Sequence, residues 1–451
     1  MRTIFFYLFV IFFLNACIAT DNPTVKGFGT PDITACGVVP AEDGYTYAPQ
    51  RPPLFNARLR PDVFYIGWSQ LDSRNDLRFP TSGYDPTTGI NFEDKLFVSR
   101  ELPDGTTRTW QLLPKRNVDC TDTDKIRIHS FDVAPDGKSL YVSMRQGTDT
   151  HLGIYNYNLN SHTFTKISLQ NTTHFTTPTY IGDDPITGHP MLFVSKSVTD
   201  AEIPVNYRAV LKDEYDRQPT TLIHKMDAVT GDVFRIGFNN SHQQDPVLIT
   251  HNGLKMVVFT QWEHQAKTNR FSLWKMQVDG SDNFTFFGQE SAIDKSAKNL
   301  SQPREIKSGP YAGYMLMMQG SRNVANTMLN FAAEGDIVMT KRVNLDVRSE
   351  RIVLETVSGV GINDNLARNP EHYNAESFVY AYRASKEFTY HIYIKDFLPL
   401  GQGTRKQLSP ATNFYHFVQP RSYYPPQAAV NAPTNGALGQ GRTSFTNTAL
   451  A

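Results

Sequence analysis

The chain has 451 residues, of which 40% are hydrophobic and 20% are charged, a composition that excludes wholesale disorder. Its 44 Lys and Arg residues balance 44 Asp and Glu residues, so the basic surface that a nucleic-acid-binding protein needs is not expected. The chain also contains 29 Phe, 21 Tyr, 29 Gly and 27 Pro, which favours strands and turns and therefore an all-β fold.

The N-terminus has the organisation of an export signal. Arg2 precedes an unbroken apolar run over residues 4–14, which is too short to cross about 30 Å of hydrocarbon as a helix. The run ends in Leu-Asn-Ala-Cys, which resembles a bacterial lipobox, although Asn is less usual at its position. We therefore expect residues 1–16 to be a lipoprotein signal peptide and Cys17 to be lipidated. The alternative is an ordinary signal peptide cut nearby, with Cys17 incidental.

The residues on either side of the expected cleavage site give two further expectations. Ile18 follows Cys17 where an Asp would favour inner-membrane retention, so by resemblance to Gram-negative lipoproteins we expect an outer-membrane anchor facing the periplasm. Cys36 and Cys120 then remain as an even pair in an exported protein, which makes them a disulfide candidate. Two buried free thiols are the alternative.

Composition divides the rest of the chain into three parts. Residues 17–55 are rich in Pro, Gly and polar residues, which predicts a tether. Residues 425–451 are almost free of charge and of large apolar side chains, which predicts a disordered tail. Residues 56–424 contain short alternating apolar runs and frequent turn pairs, and are predicted to form the folded body.

A unit of four short strands recurs along the body. Its clearest copy has a strand over residues 131–133, the Asp136-Gly137 turn and three further strands up to residue 167. Similar units follow from residue 242 and from residue 369. Four strands with an Asp-Gly or Asn-Gly hairpin between the first two are typical of a β-propeller blade.

Six segments share a pattern at the start of such units. They are His129-x-x-Asp132, His174-x-x-Thr177, His242-x-x-Asp245, Asn299-x-x-Gln302, Leu366-x-x-Asn369 and His416-x-x-Gln419. The last start leaves room for one strand only, whereas residues 62–118 supply three strands without a start. We therefore predict an all-β fold with a single closed propeller, of six blades or alternatively seven, in which the C-terminal strand completes the N-terminal blade.

The histidines of this pattern are the strongest candidate for a binding site. We predict that they ring one mouth of the central channel together with two aspartates, and the six residues are His129, His174, His242, His416, Asp132 and Asp245. Such a ring could bind a divalent transition metal or an anionic ligand. The alternative is structural, with each strand-start residue holding the backbone of a neighbouring blade.

Motifs of the common enzyme classes are missing from the sequence. It contains no Gly-x-Ser-x-Gly elbow, no His-Glu-x-x-His, no P-loop and no dinucleotide-binding glycine motif. It also contains no Cys-x-x-Cys-His for covalent haem. These absences favour a binding protein over an enzyme.

Three stretches resemble known propellers. Pro-Asp-Gly-Lys at residues 135–138, followed by Leu-Tyr-Val-Ser, resembles the repeats of TolB-type propellers. Residues 245–263 and the closing Gln-Pro-Arg at 419–421 are similar to the propeller domain of the hydrazine synthase alpha-subunit family. The resemblance extends over residues 60–424 and implies the fold; since the haem motif is absent, the redox chemistry of that family is not implied.

The sequence thus leaves three hypotheses. The first, which the resemblance to TolB-type proteins implies, is a lipid-anchored cell-envelope propeller that binds or scaffolds an envelope protein, without nucleic acid as a partner. The second is a metal- or ligand-dependent enzyme, a lyase or hydrolase, with its site at the channel mouth. The third is a haem-free subunit of a redox complex.

Overall fold

The computed structural model describes the body of the chain with gaps. The described residues are 60–69, 94–113, 126–146, 149, 151–161, 163–170, 172–198, 220–237, 241–251, 254–265, 268–288, 299–320, 335–341, 351–357, 365–387, 389–398, 402–412 and 415–423. The predicted signal peptide, tether and tail, and all three cysteines, lie outside these residues. Within them, no helix is long and apolar enough to cross a lipid bilayer.

Six four-stranded antiparallel sheets form the described structure, and we number them as blades in chain order. The first blade contains β1 (Asp62–Trp68), β2 (Lys95–Glu101) and β3 (Thr107–Leu113), with β24 (His416–Tyr423) at its inner edge. The second contains β4 (Ile126–Val133), β5 (Ser139–Gln146), β6 (Gly153–Asn158) and β7 (Thr163–Lys166). The third contains β8 (Phe175–Asp183), β9 (Pro190–Ser197), β10 (Thr221–Asp227) and β11 (Val233–Arg235).

The remaining three blades have the same order of strands. The fourth contains β12 (His242–His251), β13 (Leu254–Gln265), β14 (Thr268–Gln277) and β15 (Phe284–Phe287). The fifth contains β16 (Asn299–Glu305), β17 (Met315–Gly320), β18 (Asp336–Thr340) and β19 (Arg351–Glu355). The sixth contains β20 (Leu366–His372), β21 (Ser377–Arg383), β22 (His391–Asp396) and β23 (Lys406–Gln407). The predicted all-β propeller of six blades is confirmed.

The C-terminal strand closes the ring, as predicted. β24 pairs antiparallel with β1, with Trp68 opposite His416 at one end and Asp62 opposite Tyr423 at the other. The innermost strands then contact one another in a complete circuit of β24, β4, β8, β12, β16, β20 and back to β24. Closure covers the edge of β1 that would otherwise be left open to pair with another chain.

The apolar core lies between adjacent blades. Side chains alternate across each strand, so each blade offers one apolar face to the blade before it and one to the blade after it. Between the second and third blades, for example, Tyr141 and Ile154 pack with Leu192 and Val194, all of them buried. This sheet-on-sheet packing holds the innermost strands in fixed positions around the channel.

Every innermost strand carries a β-bulge at the same place, and β8 has a second irregularity between Tyr180 and Gly182. In five of them the bulge residue has a positive φ between 48° and 55° and is followed by proline; these residues are Thr177, Asp245, Gln302, Asn369 and Gln419. An L-residue rarely adopts such a φ, and a bulge re-aims the strand at a defined point. The repeated x-x-Asp/Asn/Gln/Thr-Pro pattern is therefore the sequence signature of this bulge.

The bulge corrects the alignment of the second blade. In β4 the register breaks between Ile128 and Ser130, so His129 occupies the position that Asp245 has in β12, and not the position of His242. Asp132 lies three residues beyond the bulge, where β8 has Tyr180. The sequence alignment was three residues out because β4 has Ser130 where the other innermost strands have proline.

Candidate functional site

A cavity of about 610 Å³ occupies the mouth at which the innermost strands end. All six innermost strands line it with residues that follow their bulges. Below it the channel narrows to a void of about 20 Å³ at the level of the bulges, which has room for about one water molecule. The larger cavity falls within the size range of small-ligand sites and of clefts that accept a side chain or short peptide.

An ionic cluster forms the floor of this cavity. Arg304, Glu371 and Arg421 each lie two residues after the bulge residue of β16, β20 and β24, so three consecutive blades present them at the same level. One carboxylate oxygen of Glu371 lies 3.1 Å from Nε of Arg304 and 3.8 Å from Nη1 of Arg421. We call Arg304 and Arg421 the arginine pair.

The arginine pair is held in place by the backbone as well. Nη1 of Arg304 donates to the carbonyl of Pro303 at 2.7 Å, and Nη1 of Arg421 donates to the carbonyl of Pro420 at 2.9 Å. Burial, and then the charge of Arg304, lowers the pKa of Arg421 to about 10. Arg421 is therefore still a cation at neutral pH, and the two guanidinium groups share one carboxylate.

The two predicted aspartates lie close to the arginine pair, at different levels. Asp132 lines the larger cavity, and its Oδ2 accepts a hydrogen bond from the N–H of Tyr180 at 2.8 Å. Burial raises the pKa of Asp132 above its usual range, against the opposing effect of Arg421. Asp245 lines the narrow void at the bulges, and burial raises its pKa too, against Arg304 and Arg421.

His174 and His242 lie at strand starts, where they bind the backbone of the preceding blade. Nδ1 of His174 accepts a hydrogen bond from the N–H of Leu152 at 3.1 Å, next to β6. Nδ1 of His242 accepts one from the N–H of Thr221 at 3.1 Å, in β10. Burial, and then the neighbouring His151, lowers the pKa of His174 to about 3, so its ring is neutral and can accept.

Other start positions follow the same geometry. Oδ1 of Asn299 accepts a hydrogen bond from the N–H of Phe271 in β14 at 3.0 Å, again in the preceding blade. His416 is fully buried, and its ring centroid lies 6.0 Å from that of Tyr390. These contacts join blade to blade and lie at the mouth opposite the cavity.

The structure does not bring the six predicted residues together. His174, His242 and His416 lie at the strand-start mouth, His129 and Asp245 lie at the bulges, and Asp132 lies in the cavity. His129 accepts a hydrogen bond from Nε2 of Gln419 through its backbone carbonyl, at 2.8 Å. In the part of the chain that the structure describes, no three His, Cys, Asp or Glu residues form a group that could hold a metal ion.

The arginine pair and Glu371 were missed by the sequence analysis. Their signal was present, because each follows the bulge proline directly: Gln-Pro-Arg at 302–304, Asn-Pro-Glu at 369–371 and Gln-Pro-Arg at 419–421. Reading the residue after the proline across the aligned units would have found three ionic side chains at equivalent positions. The histidines were predicted instead because they recur at the first position of the start pattern.

Comparison with known proteins supports the fold. No protein-family model matches the chain, and no curated protein matches it. Among solved structures it is similar to hydrazine synthase from Kuenenia stuttgartiensis, at 12% identity and a TM-score of 0.59, over 82% of this chain and 47% of that one. It also matches TolB from Acinetobacter baumannii, at 13% identity and a TM-score of 0.47, over 80% of this chain and 66% of that one.

A further match is oligogalacturonate lyase from Vibrio parahaemolyticus, at 13% identity and a TM-score of 0.39, over 70% of this chain and 74% of that one. This chain thus spans about half the length of the hydrazine synthase chain that it matches. At such low identity these similarities concern the backbone only. The likeness to hydrazine synthase shows that the body of this chain is a β-propeller of the same general fold.

Proposed function

We propose that this protein is a lipid-anchored propeller of the bacterial cell envelope that binds a protein partner at the mouth bearing the cavity. The observation that carries the proposal is the cavity of about 610 Å³, which all six blades line and which has an ionic cluster at its floor. A binding role needs a shaped, rigid surface. It needs no catalytic motif, and the sequence contains none of the common ones.

The channel beneath the cavity is rigid. The N–H of Asn369 donates to Oε1 of Gln302 at 2.7 Å, and Oδ1 of Asn369 in turn faces the N–H of Gln419 at 3.4 Å. Nε2 of Gln419 then donates to the carbonyl of His129 at 2.8 Å. This chain of amides joins four consecutive blades, so a partner meets a preorganised site and little entropy is lost in ordering it.

The rim around the cavity offers apolar contacts. Ile186 and Leu254, in the hairpins that follow β8 and β12, are 92% and 63% exposed. Both hairpins leave the innermost strands on the cavity side. Exposed apolar side chains around a pocket with an ionic floor are typical of protein-binding surfaces, where they supply contact area and the pocket supplies specificity.

Site-specific photocrosslinking in cells tests the location of the partner. A benzophenone amino acid at Ile186 is expected to give an adduct with one protein, whereas the same group at the exposed Thr172, which precedes β8 at the opposite mouth, is expected to give none. Adducts of equal yield from both positions, or none from Ile186, would contradict the proposal.

Lipid anchoring is tested separately. Labelling of the protein with a radioactive or clickable fatty acid is expected in the unmodified chain and lost in Cys17→Ser. Retention of the label in Cys17→Ser would place the lipid elsewhere and would overturn this part of the proposal.

One observation favours a second candidate function, an enzyme with its site at the same mouth. Asp132 has a pKa raised by burial, and the charge of Arg421 lies close enough to oppose that effect. A carboxyl group whose pKa is raised beside a guanidinium group is a candidate general acid for an anionic substrate. Crosslinking at Ile186 separates the two functions, because only a stable partner gives a protein adduct.

A further inference from the structure

We propose that the arginine pair is a receptor for a carboxylate group of the partner polypeptide, and that Glu371 occupies this receptor in the unbound protein. The inference rests on the proposed function for the class of partner, a polypeptide. It adds the chemical group that is recognised and the residues that recognise it.

The first step of the inference is the ratio of guanidinium groups to carboxylates in the cluster. Two guanidinium groups face a single carboxylate, and the three side chains are only 12%, 14% and 7% exposed for Arg304, Arg421 and Glu371. The cluster is therefore largely buried, with two guanidinium groups in contact with one carboxylate. Such charges are stabilised best by a further anion with matching geometry, because removal from water is costly for an unpaired ion.

The second step of the inference concerns the N–H donors of the arginine pair that its contacts leave unused. A guanidinium group has five N–H donors in a planar fork. Among the described residues, the contacts of Arg304 use Nε and Nη1, and those of Arg421 use Nη1. The remaining donors of both groups can bind a carboxylate that enters from the cavity.

Among the described residues, the other ionisable groups around the cavity form no hydrogen bond or ion pair with the arginine pair. Lys307 and Glu305, which also line the cavity, have opposite charges that cancel. Asp132 and Asp245 lie close enough to act on the pKa of Arg421, but the contacts of the arginine pair go to Glu371 and to two backbone carbonyls. The remaining donors of the arginine pair are therefore open to the carboxylate of a ligand.

The walls of the cavity favour a peptide over a sugar acid. Apolar groups of Pro135, Val247, Leu248 and Tyr423 line the cavity above the ionic floor. A sugar needs a hydrogen-bond partner for each buried hydroxyl, whereas an acidic peptide can place its carboxylate on the floor and its apolar neighbours on the walls.

The test uses arrays of random seven-residue peptides in which every Asp or Glu peptide has an Asn or Gln counterpart, followed by titration of the best pairs against the full chain. We expect acidic peptides to bind at least about tenfold more tightly than their amide counterparts. Arg304→Met and Arg421→Met should abolish that preference. Lys138→Met, an exposed cation on the β4–β5 turn outside the cavity, should retain it.

Glu371→Gln gives the sharpest result, because it should strengthen binding of acidic peptides by about tenfold or more as the internal competitor is removed. A gain of affinity cannot come from misfolding, so this variant decides the matter even if an arginine variant fails to fold. Equal binding of acidic and amide peptides, or no gain in Glu371→Gln, would overturn the inference. Trigalacturonate, a sugar acid, is the comparison ligand. Its binding without binding of acidic peptides would overturn the choice of a polypeptide.

The results separate the inference from the proposed function. An adduct at Ile186 without any carboxylate preference would refute the arginine-pair receptor and leave the partner-binding mouth standing. A clear carboxylate preference without an adduct at Ile186 would support the receptor and contradict the protein partner proposed for the living cell.

Discussion

Phe417→Ala tests the closure of the ring by the C-terminal strand. Phe417 is fully buried in β24, and its ring lies edge-on to both Tyr65 and Phe97 with centroid distances of 5.4 Å. Truncation of a fully buried Phe costs about 3–5 kcal/mol, through lost transfer free energy and the cavity left behind. Domains are typically stable by only about 5–15 kcal/mol, so the loss should be large and easily measured.

The assay is equilibrium unfolding in urea, followed by intrinsic fluorescence. The matched control is Phe284→Ala, since Phe284 lies on the outermost strand β15 and is 59% exposed. The control should change the free energy of unfolding by less than about 0.5 kcal/mol. If Phe417→Ala were as stable as the control, β24 would not close the first blade in solution and the ring topology would be refuted.

Three further predictions concern buried polar groups. His174→Ala should cost about 1–3 kcal/mol of stability, because the N–H of the buried Leu152 loses its acceptor, and should leave the Ile186 adduct unchanged. Glu355→Gln should cost about 3 kcal/mol, because Arg405 and Lys395 lose their carboxylate, at 2.7 and 3.2 Å. Asp132→Asn should raise stability at pH 7, because burial raises the pKa of Asp132 and so disfavours its charged form.

The stability contributions of Glu355 and Asp132 should depend on pH in opposite directions. Although burial opposes it, hydrogen bonds from Arg405 and Tyr380 lower the pKa of Glu355, so its contribution to stability is present above the unfolded-state pKa of about 4.3 and is lost as pH falls. The raised pKa of Asp132 has the opposite effect, so the advantage of Asp132→Asn should shrink as pH falls towards about 3.9.

Urea midpoints measured from about pH 2 to about pH 8 check both signs, because Glu355 loses its contribution below about pH 4.3. Glu376→Gln and Asp136→Asn, which change exposed carboxylates nearby, are the controls and should shift the midpoints little. A cost of Glu355→Gln that stayed constant across this range would show that the ion pairs are not the source of stability. For Asp132→Asn, a loss of stability at pH 7 would contradict the assignment of a costly buried charge.

The fold was predictable because its signals are local and repeated. An Asp-Gly turn such as Asp136-Gly137 fixes a hairpin wherever it lies, and six copies of the start pattern give the number of blades. Closure of the ring was predictable from the number of strands. Residues 62–118 supply three strands without a start pattern, and the last start pattern, at His416, leaves room for one strand only. The register of β4 was not predictable in this way, because Ser130 removes the proline that marks the bulge elsewhere.

The candidate site was less predictable because it is assembled across blades. The contacts of Glu371 with Arg304 and Arg421 depend on which innermost strands are neighbours, and on the bulges that set their side chains at one level. The strand-start histidines gave a clear sequence pattern, but His174 and His242 bind backbone N–H groups of the preceding blade. A polar residue that recurs in a repeat can therefore stabilise the contact between neighbouring repeats and need not bind a ligand.

The most direct test of the central claim is the Ile186 photocrosslink measured in a chain whose cavity is blocked. Ser308 lines the cavity from the loop after β16, where its hydroxyl lies 3.2 Å from Nε2 of His372, and Ser308→Trp should fill part of the space without touching the core. We predict that the adduct from Ile186 disappears in Ser308→Trp while the urea midpoint stays close to that of the parent chain. An adduct of undiminished yield in the folded Ser308→Trp protein would contradict binding of the partner at this cavity.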